Sequence, residues 1–176
     1  MNNRWGAIAP ILAQGRQLSY EESRQVMRTI MSGQMDDIRL SAFLSMITVR
    51  GADVEELGGL ADEMQSFAEP INLPSQVVDI VGTGGDGAHT VNVSTMASVV
   101  IAASGFPVVK HGNRASTSSS GSADVLEALG VNLDLPPAQI VEAFEKTGVA
   151  FLFANNFHPS MRHAARVRRE LGFPTV

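Results

Sequence analysis

The chain has 176 residues, 44% of them hydrophobic and 18% charged, which is the composition of an ordinary globular protein and not of a disordered one. Its net charge of −5 argues against a general nucleic-acid binder, because such proteins carry a basic face. The sequence contains no cysteine, which excludes disulfide bonds and zinc sites built on thiolates.

The part of the chain before Pro70 is predicted to be helical. Ser19 and Glu22 have the spacing of a capping box, in which each side chain satisfies a backbone N–H group of the other residue. Asp53 and Glu56 repeat this pattern. Apolar residues follow both boxes at helical spacing. The predicted helices run from Trp5 to Ala13, with Pro10 interrupting, from Ser19 to Gly33, from Asp36 to Val49 and from Asp53 onward.

Pro70 and Pro74 flank a short break, which predicts a boundary between a helical domain over residues 1–72 and an α/β domain over residues 73–176. Strands alternate with helices after this break, and the alternation predicts βαβ units and a parallel sheet. Three strands make a thin sheet, so we expect it to be incomplete. The predicted strands are Val77–Val81, Pro107–Lys110 and Val149–Phe153, and the predicted helices are Ser94–Ser104, Ser122–Leu129, Pro136–Thr147 and Ser160–Leu171.

A glycine-rich loop follows the first predicted strand. It runs from Asp79 through Gly87 and leads to a helix that begins near Ser94. Glycines let the backbone approach a phosphate closely, and the N-terminus of a helix favours an anion. The pattern alone is not specific, because a capped helix after a glycine turn has the same residues.

A second unusual loop follows the second predicted strand. Lys110 ends that strand, where it can act as a point charge for a phosphate, and a run rich in serine and threonine extends from Ser116 to Ser122. A flexible linker is the alternative interpretation of this run. Ligands of open parallel sheets bind beyond the carboxyl ends of the strands, so we expect both loops at one edge.

Arginines dominate the last predicted helix. Arg168 shares its face with apolar residues, where an unpaired charge is costly, so we expect a structural Asp or Glu or a ligand carboxylate as its partner. None of the four histidines is assigned as a catalytic acid or base. The arginines predicted to face solvent are Arg162, Arg166 and Arg169.

In order and spacing, these segments resemble the anthranilate phosphoribosyltransferase family over nearly the whole chain. The resemblance implies a nucleoside phosphorylase/phosphoribosyltransferase-like α/β fold with an N-terminal helical domain, and a homodimer joined through the N-terminal helices. The segments that carry the resemblance are Gly82–Asp86, Asn92–Thr95, Lys110–Arg114, Gly121–Gly130, His158–Pro159 and Val167–Gly172.

The resemblance also implies phosphoribosyl pyrophosphate and anthranilate as substrates and Mg²⁺ as cofactor. Residues matching the family's phosphoribosyl pyrophosphate site are Gly82, Gly85, Asp86, Thr90, Asn92, Val93, Ser94, Thr95, Lys110, His111, Gly112, Asn113, Arg114, Ala115, Ser116, Thr117, Ser118 and Ser122. Gly82, Asn113 and Arg168 match positions that contact anthranilate, and Ser94 also matches a magnesium ligand.

The implied reaction transfers the phosphoribosyl group to anthranilate, a step of tryptophan biosynthesis that releases pyrophosphate. The weakly basic amine of anthranilate is unprotonated at neutral pH, so no strong general base is needed. The family's main magnesium ligands, an Asp-Glu pair, have no match in these 176 residues, and we therefore expect little or no activity from them alone.

Two alternatives remain open at this stage: a relative of pyrimidine nucleoside phosphorylase and a non-catalytic binding module. The chain begins without the basic-then-apolar layout of a signal peptide, and it has no apolar run long enough to span a bilayer. We therefore expect a cytoplasmic protein without membrane or nucleic-acid partners.

Overall fold

The computed structural model of the chain describes residues 4–74, 76–82, 91–114 and 121–175. The chain packs into two compact units, one of Met1–Ala68 with His158–Val176 and one of Glu69–Phe157. The predicted combination of a helical part and an α/β part is confirmed. Residues 158–176 pack with the helices of the first unit, although they follow the α/β elements in the sequence.

Apart from the first predicted strand, the helices and strands correspond closely to those predicted, and the last helix is preceded by a 3₁₀ turn over Pro159–Met161. Among the described residues, no helix is long and apolar enough to cross a membrane. In chain order the elements are α1 (Arg4–Ala13), α2 (Tyr20–Met31), α3 (Asp37–Arg50), α4 (Val54–Ser66), α5 (Val93–Ala103), β1 (Val108–Gly112), α6 (Ser122–Ala128), α7 (Pro137–Thr147), β2 (Val149–Phe153), α8 (Ala154–Phe157) and α9 (Arg162–Leu171).

Both predicted capping boxes are present. At the start of α2, the Ser19 backbone N–H donates to Glu22 Oε2 over 2.8 Å, and the Glu22 N–H donates to Ser19 Oγ over 3.3 Å. At the start of α4, the Glu56 N–H donates to Asp53 Oδ1 over 2.8 Å, and the Asp53 N–H donates to Glu56 Oε2 over 3.1 Å. These bonds satisfy N–H groups that a helix start leaves without an internal partner.

Two buried carboxylates join segments of the first unit that are distant in sequence. Glu56 accepts hydrogen bonds from the Leu18 backbone N–H (2.7 Å) and from Arg50 Nη2 (2.6 Å). Burial alone would raise the pKa of Glu56, but these hydrogen bonds outweigh it and leave the pKa lowered. Glu63 of α4 accepts from Arg28 Nε of α2 over 2.6 Å. Around these pairs the apolar core includes residues from α1, α2, α3, α4 and α9.

The α/β unit is built on two parallel strands. β1 and β2 pair in register from Val108 opposite Val149 to Gly112 opposite Phe153. Helix α7 packs on β2, and its Phe144 is buried in the core of this unit. The predicted strand Val149–Phe153 is confirmed without a shift, and β1 extends two residues beyond the predicted end at Lys110.

The first predicted strand, Val77–Val81, joins the sheet through a single parallel bridge between Val78 and Val108. The Val109 N–H donates to Val78 O over 3.0 Å, but no further ladder bonds follow among the residues described up to Gly82. Instead, Lys110 Nζ donates to Ile80 O over 2.7 Å, and the His111 N–H donates to Asp79 Oδ1 over 3.2 Å. The expectation of a full strand is therefore wrong, because side-chain groups take the bonds that would continue its ladder.

Candidate functional site

Gly82 and Ser94 lie next to each other in the α/β unit. A Cβ atom built on Gly82 would lie 3.3 Å from Ser94 Oγ, so the glycine end of the first loop lies against the first turn of α5. Asn92 precedes this helix, and its carbonyl accepts from the Thr95 and Met96 N–H groups over 3.0 Å. The structure thus brings two predicted pyrophosphate ligands together at a helix N-terminus. Gly85, Asp86 and Thr90 lie outside the described residues.

Lys110 is buried in the middle of β1, with 3% of its surface exposed. Its Nζ donates to Ile80 O, two residues before Gly82. Burial lowers the pKa of Lys110, and the nearby carboxylate of Asp79 opposes this shift. The sequence placed Lys110 at a strand end, but its ammonium group instead links β1 to the segment that leads into the glycine loop. This bond uses one of the three donors of the ammonium group.

The end of β1 approaches the start of α6 very closely at Gly112. A Cβ atom on Gly112 would lie 2.9 Å from Phe151 Cε2 and 3.0 Å from Ser122 Cβ, closer than real Cβ contacts. The next residue, Asn113, accepts a hydrogen bond at its carbonyl from the Ala123 N–H over 3.2 Å. The absence of a side chain at Gly112 therefore allows two predicted ligands, Asn113 and Ser122, to lie at the same strand end. Ala115, Ser116, Thr117 and Ser118 lie outside the described residues.

The guanidinium group of Arg114 is bound by the protein itself. Arg114 Nη1 lies 2.7 Å from Glu127 Oε2 and 3.2 Å from Asp124 Oδ1, and its Cζ lies 5.6 Å from the centre of the Phe153 ring. The hydrogen bonds that Arg114 donates to these carboxylates, to Glu127 above all, raise the pKa of Arg114. Arg114 therefore fixes the loop after β1 onto α6. Sequence reasoning did not identify this role of Asp124 and Glu127, although Asp124 occupies the capping position that binds the Gly121 N–H over 2.8 Å.

Arg168 belongs to α9 in the helical unit and is exposed, in contrast to the expectation of a buried charge. Its Nε donates to Thr175 Oγ1 over 3.0 Å, so the partner that the structure shows is a neutral hydroxyl. Gly172, with a φ of 69°, ends the helix and turns the chain so that Thr175 returns to it. Arg168 borders an apolar pocket of about 220 Å³ that also includes Met161 and Ala164. The three arginines predicted to face solvent are exposed.

Within the described ranges, no group of three or more His, Asp or Glu residues could hold a metal ion. Ser94, the predicted magnesium ligand, offers one hydroxyl oxygen beside Gly82. The Ser94 carbonyl accepts a hydrogen bond from Ser98 Oγ over 2.8 Å. This bond does not involve the Ser94 hydroxyl, which lies in the first turn of α5. Thr95 Oγ1 is buried and has no hydrogen-bond partner in the described part of the chain.

Comparisons with known proteins agree with the geometry of both units. Residues 10–68 match the family model described as glycosyl transferase family, helical bundle domain. Residues 74–176 match the model described as glycosyl transferase family, a/b domain. These matches confirm the predicted order of a helical part and an α/β part.

The chain is similar to curated anthranilate phosphoribosyltransferases. It is 49% identical over 176 residues to the enzyme of Saccharopolyspora erythraea, covering 100% of this chain and 50% of that one. It is 50% identical over 167 residues to the enzyme of Deinococcus radiodurans, covering 94% and 49%. The chain therefore spans about half the length of the curated relatives it matches, and the resemblance noted in the sequence is confirmed.

Solved structures show the same fold. Anthranilate phosphoribosyltransferase from Thermus thermophilus superposes with a TM-score of 0.87 at 46% identity, covering 94% of this chain and 51% of that chain. The enzyme from Saccharomyces cerevisiae in complex with PRPP and Mg superposes with a TM-score of 0.89 at 30% identity, covering 99% and 53%.

Proposed function

Because this chain belongs to the glycosyl transferase family that combines a helical bundle domain with an a/b domain, we propose that its protein transfers the phosphoribosyl group of phosphoribosyl pyrophosphate to anthranilate. The products are phosphoribosyl-anthranilate and pyrophosphate, and the reaction belongs to tryptophan biosynthesis. The proposal is supported by relatives named for this activity and by a yeast relative solved with PRPP and Mg. The structural observation that carries the proposal is the hydrogen bond from Lys110 Nζ to the Ile80 carbonyl, which joins the two predicted loops.

This linkage supports the proposed binding of pyrophosphate. Gly82 lies beside Ser94 at the N-terminus of α5, where the helix dipole favours negative charge. Lys110 adds a cation, because its Nζ donates to the carbonyl oxygen of Ile80, two residues before Gly82 in the sequence. A chain with a net charge of −5 repels polyphosphates on average, so attraction must come from such local groups. The remaining predicted ligands in the two loops complete the proposed site.

Magnesium would be held at Ser94 and by the pyrophosphate oxygens. Mg²⁺ prefers oxygen ligands and commonly binds through substrate phosphates and water with few protein groups. When bound, the ion would neutralise charge that develops on the leaving pyrophosphate. Ser94 contributes a single oxygen among the described residues, and its place against Gly82 fits a ligand that bridges the glycine loop and the helix.

Anthranilate binding is proposed for Asn113 and Arg168, with Gly82 beside the transferred group. The Asn113 Oδ1 atom accepts from the Arg114 N–H over 2.8 Å, so the amide nitrogen of Asn113 is left to donate. Arg168 uses its Nε for Thr175, and its remaining guanidinium donors suit a carboxylate. Catalysis then consists of aligning the amine and stabilising the leaving group.

The substitution Lys110→Met tests this function, with Lys146→Met as the matched control on the exposed side of α7. We expect Lys110→Met to weaken binding of phosphoribosyl pyrophosphate with Mg²⁺ at least about tenfold in isothermal titration, the equivalent of about 1.4 kcal/mol. Lys146→Met should bind as the unaltered chain does. Equal affinity of all three proteins would contradict the proposed site.

Turnover tests the reaction separately. Anthranilate fluorescence should fall only when phosphoribosyl pyrophosphate and Mg²⁺ are both added. Tight binding without any transfer by a protein of the relatives' full length would contradict the catalytic part of the proposal and keep the binding part, whereas little or no transfer is expected from these 176 residues alone. Cleavage of thymidine or uridine by phosphate, with no response to anthranilate, would favour the nucleoside phosphorylase alternative instead.

We also propose a homodimer through the N-terminal helices, in the cytoplasm. Three apolar side chains of this region are 83–89% exposed, namely Ile38, Val49 and Val54. Large exposed apolar side chains on α3 and at the start of α4 favour an interaction surface in this region. Light scattering should give the mass of a dimer, and Val49→Asp should shift it to that of a monomer. Cell fractionation would test the location.

A further inference from the structure

Two carboxylates of α6 hold the chain on either side of the segment between Arg114 and Gly121. Asp124 binds both sides: Arg114 Nη1 donates to its Oδ1 over 3.2 Å, and the Gly121 backbone N–H donates to its Oδ2 over 2.8 Å. Glu127 accepts two more bonds, from Arg114 Nη1 over 2.7 Å and from Arg114 Nη2 over 3.0 Å. Side chains of one short helix thus hold two points of the chain that flank this segment.

This arrangement lies at the surface, unlike the ion pairs of the helical unit. The side chains of Arg114, Asp124 and Glu127 are 46%, 34% and 55% exposed, and that of Glu63 in the helical unit is 1% exposed. Exposed ion pairs contribute little to the stability of a fold, so stability alone does not explain these converging groups. A guanidinium group held by two parallel bonds to one carboxylate is fixed in direction. The arrangement therefore fixes the conformation of the chain at Arg114.

The fixed conformation at Arg114 is passed on to two predicted substrate ligands. The Arg114 N–H donates to Asn113 Oδ1 over 2.8 Å, so the backbone at Arg114 sets the direction of the Asn113 amide group. The Ala123 N–H donates to Asn113 O over 3.2 Å, and this bond joins the strand end to the first turn of α6, where Ser122 lies. The carboxylates of α6 therefore act on Asn113 through Arg114.

The charges around Arg114 disfavour a direct contact between its guanidinium group and pyrophosphate. Three of its N–H donors bind the carboxylates of Asp124 and Glu127. One positive charge beside two negative charges leaves the group as a whole negative, and such a group repels a polyphosphate.

We propose that Asp124 and Glu127 are positioning residues of the substrate site, and that Arg114 acts through them and does not bind pyrophosphate itself. They hold the end of β1 so that Asn113 presents its amide nitrogen to anthranilate and Ser122 lies beside it. The inference rests on the proposed function, because Asn113 and Ser122 bind substrates only if that function is correct. It also replaces the role that the resemblance implies for Arg114.

The affinity of the 176-residue chain for anthranilate tests the proposal, with Glu142→Gln as the matched control. Glu127→Gln and Glu142→Gln both remove the charge of an exposed carboxylate that is paired with a cation, which for Glu142 is Lys146 over 2.6 Å. Removing a negative charge should by itself favour an anionic ligand.

We nevertheless expect Glu127→Gln to weaken anthranilate binding about fivefold, the effect of losing one hydrogen bond, and Glu142→Gln to leave it unchanged. Anthranilate fluorescence in the presence of phosphoribosyl pyrophosphate and Mg²⁺ measures the affinity.

Arg114→Met separates positioning from direct contact. The double variant with Glu127→Gln should bind anthranilate no more weakly than Arg114→Met alone, because both substitutions break the same arrangement. Hydrogen exchange adds a readout without substrate. The Ala123 N–H, which binds Asn113 O, should exchange faster in Glu127→Gln than in Glu142→Gln.

Three results would overturn the inference. One is unchanged affinity of Glu127→Gln for both substrates, which would leave the ion pair with a structural role only, even if the free energy of unfolding fell. Another is a loss of affinity for phosphoribosyl pyrophosphate in Arg114→Met that Glu127→Gln does not share, which would make Arg114 a direct ligand. The third is losses that add in the double variant.

Each of these three results leaves substrate binding by the unaltered chain, so the proposed function would stand without the positioning role. An unaltered chain that bound neither substrate would contradict the proposed function and this inference with it. The two failures are therefore distinguished by the unaltered chain alone.

Discussion

Gly58 and Gly59 are neighbours in α4, yet they have different physical roles. A Cβ atom on Gly59 would collide with the backbone carbonyl oxygen of Tyr20 and would lie 3.0 Å from Ser23 Cβ. A Cβ atom on Gly58 would lie 3.7 Å from the Tyr20 ring, an ordinary contact. At Gly59 α4 thus approaches α2 too closely for a side chain, and Gly58 is a helix position without that constraint.

We expect Gly59→Ala to destabilise the helical unit by about 1–3 kcal/mol, because a backbone atom cannot move aside as a flexible side chain can. Gly58→Ala should be neutral or stabilising by about 0.5–1 kcal/mol, since alanine favours the helix. Urea denaturation of both variants measures the difference. If both substitutions had the same effect, the close contact between α2 and α4 would be contradicted.

At this scale the sequence predicts which residues matter better than it predicts their partners. Helical periodicity marks Arg168 as unusual, but its hydrogen bond to Thr175 depends on how the chain turns at Gly172. Lys110 was identified as a cation beside a loop, but its bond to Ile80 joins residues 30 positions apart. Local patterns carry no information about such distant contacts.

The contact between α2 and α4 is held by an ion pair whose carboxylate is almost completely buried. Glu63 is 1% exposed and binds Arg28 Nε over 2.6 Å and Arg24 Nη2 over 2.9 Å. The hydrogen bond from Arg28 lowers the pKa of Glu63, against the effect of burial. A carboxylate with a lowered folded-state pKa stabilises the fold above its unfolded-state pKa.

Glu63→Gln should therefore lower the free energy of unfolding at pH 7 by about 2 kcal/mol, the size of a hydrogen bond to a charged group. The stabilisation in the unaltered chain is lost as the pH falls from the unfolded value of about 4.3 through the lower folded value. The difference between the two proteins should shrink over this range in denaturation at several pH values. Glu55→Gln, at an exposed position of α4, is the control and should show no such trend.

Elements are predictable from the sequence where their signals are local. The capping boxes at Ser19 and Asp53 placed the starts of α2 and α4 correctly, because both partners of each box lie within four residues. The strand expected over Val77–Val81 has suitable residues, but its ladder depends on Lys110 and His111, which lie on another strand. A strand exists only through such partners, so composition alone could not show that it reduces to one bridge.

For the whole molecule, the chain order and the packing order differ. Helix α9 comes last in the described chain, yet it contacts α2 and α3, and its Val167 is 4% exposed in the core of the helical unit. Strands β1 and β2 lie in the other unit, around a separate core that contains Val109 and Ala150. A perturbation of α9 should thus affect the first unit although most of the α/β elements precede it directly.

Val167→Ala tests this arrangement by hydrogen exchange. Removing two methyl groups from a packed site should cost about 2 kcal/mol, and the loss should appear as faster exchange of amides in α3 around Phe43 and Ile47. Amides of β1 and β2 serve as the internal reference and should keep their rates. Arg169→Ala, on the exposed side of the same helix, should change neither set. Equal acceleration of the amides in α3 and in the two strands would mean that the two units open together. Acceleration in the strands alone would assign α9 to the α/β unit. The exchange pattern therefore identifies the core that the last helix completes.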